Sequence, residues 1–231
     1  MSFIEREGKI LRTVKKLAEE RLSFVVVGGY AVSGLGRHRF SVDGDLVIPK
    51  NQLNRFEKLL EKEGFEKYQE RGEFDKVYGG KFVEYKKDFG GLPVTIDLLV
   101  ESLVCRATNA SWSFSYIKKH SIAVNITGIE TAVSCQVPEK ELLIAFKVHS
   151  GRKTDIRDTV MLRENIDWKK ASKHMKRGNL DALKKQINVA IQYLKDERLV
   201  DSLRGVFRMT SDVNMQIKNT RRDLERVLKN F

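Results

Sequence analysis

Two aspartates two residues apart, Asp43 and Asp45, stand in the run Ser41-Val42-Asp43-Gly44-Asp45-Leu46-Val47-Ile48. On an extended chain both carboxylates point to the same side. Like charges that close repel unless a cation neutralises them. Mg²⁺, with its oxygen-only octahedral preference, is the usual guest of paired aspartates that also face phosphate. Asp43 and Asp45 are therefore candidate metal ligands. A third carboxylate, Asp97, lies inside the apolar run Val94-Thr95-Ile96-Asp97-Leu98-Leu99-Val100, where burying it unpaired would be costly, so a metal or a protein donor must sit beside it. Upstream, Val25-Val26-Val27 is followed by Gly28-Gly29. Glycines after a strand let the backbone turn sharply and bring amide N–H groups to phosphate oxygens at the next helix's N-terminus.

Each feature is weak alone: a lone D-x-D also forms turns, and two glycines often mean only a bend. Their order is more specific, namely strand, glycine turn, short helix, D-x-D, strand, and later Asp97 in a strand. Arg37, His38 and Arg39 precede the acidic pair where a triphosphate or an RNA backbone could pass, and Arg grips phosphate bidentately; a solvated loop would read the same. Gly44, smaller than the side chain expected between the two aspartates, predicts a loosened loop there. Farther on, Lys147 lies one helical turn beyond Leu143 among apolar neighbours, which argues against a merely solvated charge, although a snorkelling lysine fits the pattern too. His38, His120, His149 and His174 lack partners at metal-ligand spacing and are assigned no catalysis.

The elements that must hold these residues follow from periodicity. Residues 10–22 predict an amphipathic helix, 24–27 a buried strand, 30–35 a short helix, 45–48 a strand and 51–62 a second amphipathic helix closed by Gly64. From 65 to 137 the period becomes two, with strands expected at 81–86, 94–100, 121–126 and 129–137 and a tight turn at Thr127-Gly128. Pro138 marks a helix start, giving a helix over 139–150 closed by Gly151. Helices then follow at 155–164, 168–176, 180–194, 199–207 and 211–229. The expected fold is α+β: a small mixed sheet carrying the aspartates, flanked by helices, then a helical C-terminal region, with domains over 1–165 and 166–231.

The 231 residues, 41% hydrophobic and 32% charged, describe an ordinary globular chain. Cys105 and Cys135 stand alone, so neither a zinc site nor a disulfide framework is indicated. The opening residues carry charges where a secretory signal needs an apolar run, and nothing approaches the roughly 20 apolar residues of a membrane span. A cytoplasmic address and no membrane partner are expected. The net charge of +12 favours polyanions as company. Residues 169–231 hold 16 Lys and Arg against 7 Asp and Glu, so most of the excess is C-terminal.

On Gly28, Gly29, Asp43, Asp45 and Asp97 the sequence resembles the nucleotidyltransferase superfamily of DNA polymerase β. That family's signature is a Gly-Gly or Gly-Ser turn, a D-x-D and a third carboxylate on a neighbouring strand. Residues 142–158, a leucine-rich helix with Lys147, then Gly151-Arg152 and Asp155-x-x-Asp158, look like the corresponding segment of AbiEii-type abortive-infection toxins and their small stand-alone relatives. The resemblance implies nucleotidyl transfer from an NTP with Mg²⁺ (or Mn²⁺) held by Asp43, Asp45 and Asp97. It implies that Asp97 takes the acceptor's proton, that Gly28, Gly29, Arg39 and Lys147 contact the nucleotide, and that Asp155 or Asp158 adds a carboxylate. The run Lys169, Lys170, Lys173, Lys176 and Arg177 favours an RNA acceptor such as tRNA, and the toxin likeness implies a partner antitoxin. Two other readings compete: a catalytically inactive RNA-binding module of the same fold, and a partner-binding protein that uses the helix over 211–229.

Overall fold

The computed structural model describes residues 2–91, 93–208 and 212–231. It divides into two compact units, one running up to Val104 and continuing over Ser111–Pro138, the other comprising Cys105–Ala110 and Glu139–Phe231. The expected boundary at 165/166 falls inside the second unit. Among the described residues no helix is long and apolar enough to cross a membrane.

The first unit opens with helix α1 (Phe3–Glu19), held at its start by a reciprocal Ser2–Glu5 capping box. Strand β1 (Val25–Val26), helix α2 (Gly28–Leu35), strand β2 (Asp43–Ile48) and helix α3 (Leu53–Lys62) follow. Next come β3 (Glu66–Asp75), β4 (Gly80–Lys87), β5 (Val94–Val100), β6 (Ser102–Cys105) and β7 (Ala110–Ser113), then the short helix α4 (Phe114–Lys119), β8 (Ser121–Thr127) and β9 (Ala132–Pro138). Five strands form one sheet in the order β1-β2-β5-β4-β3, with only the β2–β5 pair parallel. Two hairpin-like pairs, β6–β7 and β8–β9, stand apart from it. The mixed sheet and flanking helices are the α+β architecture that the periodicity predicts.

Alternation along the strands separates two faces. On β5, Val94, Ile96, Leu98 and Val100 are buried while Asp97 and Leu99 are half-buried. Ile96 and Leu98 lie level with Gly44 and Leu46 of β2 and with Tyr85 and Val83 of β4, and this apolar face packs under α1 through Ile10 and its neighbours. The opposite face carries Asp43, Asp45, Thr95 and Asp97. One sheet thus buries its hydrophobic side against α1 and turns its carboxylates the other way.

In the second unit α5 (Lys140–Ser150) is surrounded by α6 (Lys153–Leu162), α7 (Trp168–Met175) and α8 (Leu180–Tyr193), and α9 (Arg198–Phe207) and α10 (Val213–Lys229) complete it. Leu142 to Ala145 are fully buried, so α5 is apolar nearly all round because helices cover it on several sides.

Several boundaries differ from expectation. Asp43 lies within β2 rather than before it, α2 begins at Gly28 rather than Tyr30, and Pro138 ends β9 while Glu139 caps α5. The β8–β9 connection spans residues 128–131, wider than a Thr127-Gly128 turn. Strands β3, β6 and β7 and helix α4 were not individually expected. The expected start of the last helix at Ser211 lies outside the described residues.

Gly44 loosens nothing. A Cβ there would stand 2.8 Å from Ile96 Cδ1 and 3.0 Å from Ile10 Cγ2, so it lets α1 close directly onto the sheet beneath the two aspartates. Gly44→Ala is expected to cost about 1–3 kcal/mol in urea unfolding despite alanine's lower backbone entropy cost, and Ile96→Val in the same chain should restore part of that loss.

Candidate active site

Parallel pairing of β2 with β5 sets the geometry: Asp43 lies opposite Thr95 and Asp45 opposite Asp97. Directly paired residues share a face, so three carboxylates predicted from two separate sequence signals meet on one side of the sheet. The Thr95 hydroxyl donates to Asp43 Oδ1. The Val27 N–H donates to the Asp45 carbonyl at 2.9 Å, fixing the end of β1 and the glycine turn to β2.

Gly28 has φ +63°, the left-handed region that favours glycine, and a Cβ there would lie 1.9 Å from Asp45 Oδ2. Glycine is thus required twice, by the turn and by the carboxylate packed against it. At Gly29 an added Cβ would meet Ser41 Oγ at 2.4 Å and Arg39 Nη2 at 3.1 Å. The loop carrying Arg39 and Ser41 therefore folds back over the turn, and the Tyr30 hydroxyl, donating to the Ser41 carbonyl at 3.1 Å, holds it there. A second tie comes from His38, whose Nε2 lies 2.6 Å from Oε1 of Glu7, while Oε2 of Glu7 accepts the Ile129 N–H at 2.8 Å. His38 thus has a carboxylate partner from α1, which spacing within its own loop could not reveal.

Asp97 is electrostatically the most unusual group of the set. Its Oδ1 is buried with no hydrogen-bond partner among the described residues. Burial, then Asp45, Asp43 and Glu84, push its pKa up to about 8. Glu84, which the sequence reading missed, lies opposite Asp97 on β4, and Gln69 of β3 lies opposite Glu84 and donates to it. A row Asp45–Asp97–Glu84–Gln69 therefore crosses four strands. The only sequence signal for Glu84 was its parity with Phe82 and Lys86 in one strand, and parity acquires meaning only with the register.

The remaining candidates lie in the second unit. Lys147 Nζ is 2.9 Å from both Asp155 Oδ1 and Asp158 Oδ2, and Arg152 Nε is 2.7 Å from Asp155 Oδ2. All three members of the Lys147–Asp155–Asp158 group are buried. Burial alone would lower the Lys147 pKa, but the two carboxylates outweigh it and raise it; burial would raise Asp155, and Lys147 with Arg152 lowers it instead. His149 is fully buried between the Thr108 hydroxyl (2.7 Å) and the Met175 carbonyl (2.9 Å), with its pKa pushed down to about 4 chiefly by burial. His174 Nε2 lies 3.1 Å from Glu139.

No family model matches the chain, and no curated protein matches it. Among solved structures it is similar to a presumed nucleotidyltransferase from H. pylori, at 19% identity over 100% of this chain and 96% of that one, TM-score 0.48. JHP933 from Helicobacter pylori is similar at 18% identity over 96% of this chain and 90% of that one, TM-score 0.45. The antibiotic-resistance factor ANT(2'')-Ia is similar at 18% identity over 89% and 90%, TM-score 0.40.

The raised pKa of Asp97 has a measurable consequence. The folded chain keeps this proton up to about pH 8, whereas an unfolded aspartate releases it near 3.8. Between those values the folded state holds one more proton than the unfolded state, so Asp97 makes stability fall as pH rises. Asparagine mimics the protonated acid. In EDTA, thermal unfolding is expected to show Asp97→Asn gaining on the wild type steadily from about pH 5 to about pH 8; a difference independent of pH would contradict the environment described for Asp97.

Proposed function

We propose that the chain is a metal-dependent nucleotidyltransferase that moves a nucleoside monophosphate from an NTP to an acceptor hydroxyl, the acceptor being an RNA such as tRNA. The observation that carries the proposal is the orphaned, buried Asp97 Oδ1 in register with Asp45, beside Asp43, on the face that the glycine turn also borders. A buried carboxylate oxygen without a donor, flanked by two more carboxylates, suits a hard divalent cation. The donor set thus fits Mg²⁺ or Mn²⁺, with Asp43, Asp45 and Asp97 as the residues that would hold it. When bound, the metal supplies positive charge that polarises the α-phosphate and acidifies the acceptor hydroxyl.

The chain's own residues supply the rest of the proposed reaction. The acceptor oxygen forms a bond to the α-phosphorus, the bridging bond to the β-phosphate breaks, and pyrophosphate leaves. The acceptor's proton is proposed to go to Asp97, the carboxylate nearest the acceptor. Backbone amides at Gly28 and Gly29, with Arg39 folded over them, would seat the triphosphate. The resemblance assigns a nucleotide-phosphate contact to Lys147, whose ammonium lies between Asp155 and Asp158. Neither carboxylate is separately favoured as the additional acid. The RNA part of the proposal rests on the C-terminal excess of Lys and Arg. The likeness of residues 142–158 to AbiEii-type toxins extends it to a growth-arresting role answered by an antitoxin.

The test is incubation of the purified chain with Mg²⁺, each labelled NTP in turn and total cellular RNA, beside Asp43→Asn/Asp45→Asn. Label should enter RNA with the wild type and fall by roughly 100-fold or more in the variant, whose fold is checked by circular dichroism. Equal labelling by both proteins would refute the assignment. Labelling of no RNA, with activity toward a small hydroxyl compound, would keep the chemistry and replace the acceptor.

A further inference from the structure

The second unit carries a groove that plays no part in the carboxylate site. Lys169, Lys173 and Lys176 recur at helical spacing and form one basic stripe along α7 and its C-cap. Facing them, Arg226 and Val227 of α10 close the other wall, and Trp168 lies at one end. The space between is about 560 Å³, within the roughly 300–1,000 Å³ of built ligand sites.

Three of the four cations lining this groove have no acidic partner among the described residues. The one acidic residue lining it, Asp223, already meets Arg163 at 3.0 Å and Arg226 at 3.7 Å. Lys169, Lys173 and Lys176 are exposed and make no ion pair among the described residues. Four cations around one partnered carboxylate attract a polyanion, but a solvated helix face would do no more than that. The second observation is aromatic: Trp168 is half-buried in the wall of the same cleft, an indole placed among cations. A concave site that offers both a stacking surface and several ammonium groups matches one ligand chemistry, a phosphodiester chain carrying aromatic bases. Ser172 and Asn230, also in the lining, provide hydroxyl and amide partners for ribose.

We infer that the α7–α10 groove binds a segment of single-stranded RNA, with a base stacked on Trp168 and phosphates against Lys169, Lys173, Lys176 and Arg226. The inference rests on the RNA part of the proposal above and needs none of the chemistry at Asp97.

The chain reports on this site directly, because it has two tryptophans and the other, Trp112, is fully buried. The full-length Asp43→Asn/Asp45→Asn chain, which excludes turnover, is titrated with a single-stranded RNA octamer while tryptophan fluorescence is followed. Quenching is expected, with log K falling against log salt at a slope of about −0.7 for each phosphate engaged, so roughly −2 to −3 in total. Adding Lys173→Gln/Lys176→Gln, both at exposed positions, should weaken binding roughly tenfold and flatten the slope by about 1.4. Trp168→Leu should weaken it roughly tenfold, and Trp168→Phe should recover most of that loss. Absence of quenching would overturn the inference, as would undiminished binding by the double lysine variant or equal binding of duplex RNA. The two proposals fail separately: groove binding without nucleotide transfer by the wild type sinks only the transfer, and transfer to RNA that ignores Lys173→Gln/Lys176→Gln sinks only the groove.

Discussion

Two parallel strands that place Asp45 directly opposite Asp97 impose an electrostatic cost that the rest of the first unit is arranged around. Neighbouring strands stand about 4.8 Å apart, so the register fixes like charges side by side, with Asp43 one step away. Thr95 relieves Asp43 by donating to it, and nothing among the described residues does so for Asp97 Oδ1. In the absence of a cation the sheet answers by keeping Asp97 protonated. A proton and a divalent ion are two solutions to one electrostatic problem.

That arrangement is held from below and from the side. Beneath it, Gly44 admits Ile10 and Ile96, so α1 packs tightly against the back of β2 and the backbone between the two aspartates has little room to shift. Beside it, Gly28 takes a left-handed turn against Asp45, and Tyr30 and the Glu7–His38 pair tether the loop that brings Arg39 and Ser41 over Gly29. Rigid support matters for chemistry that depends mainly on placing charge, since a site of this kind loses rate when its groups drift by an ångström or less. The second unit solves its own charge problem differently. Lys147 lies buried between Asp155 and Asp158, Arg152 on Asp155 brings the four charges to zero, and removing one partner would strand the others.

Much of this was legible in the residues. The D-x-D, the glycine pair and the carboxylate inside an apolar strand are local signals, and local signals survive without a structure. Period-two parity put Asp43 and Asp45 on one side of the chain, and the β2–β5 register adds Asp97 to that face. What the sequence withheld was register and long-range pairing. Glu84 and Thr95 join the row only once β4, β5 and β2 are aligned, and Glu7 reaches His38 across 31 positions. Gly44 read as looseness because its neighbour Ile10 comes from another element, and a missing Cβ signals a close approach only when the approaching group is known. Charge density at the C-terminus was visible in the composition, yet the stripe on α7 became a groove only when α10 supplied the opposite wall.

The account stands or falls on whether the Asp45–Asp97 row holds a divalent cation. The most direct measurement is Mn²⁺ binding to the purified chain, followed by the loss of the free-ion electron paramagnetic resonance signal, for wild type and Asp97→Asn at about pH 8, where the carboxylate is half ionised. The account predicts saturable binding by the wild type that weakens at least roughly tenfold in Asp97→Asn. Equal binding by the two proteins, or none by the wild type with or without nucleotide, would contradict it.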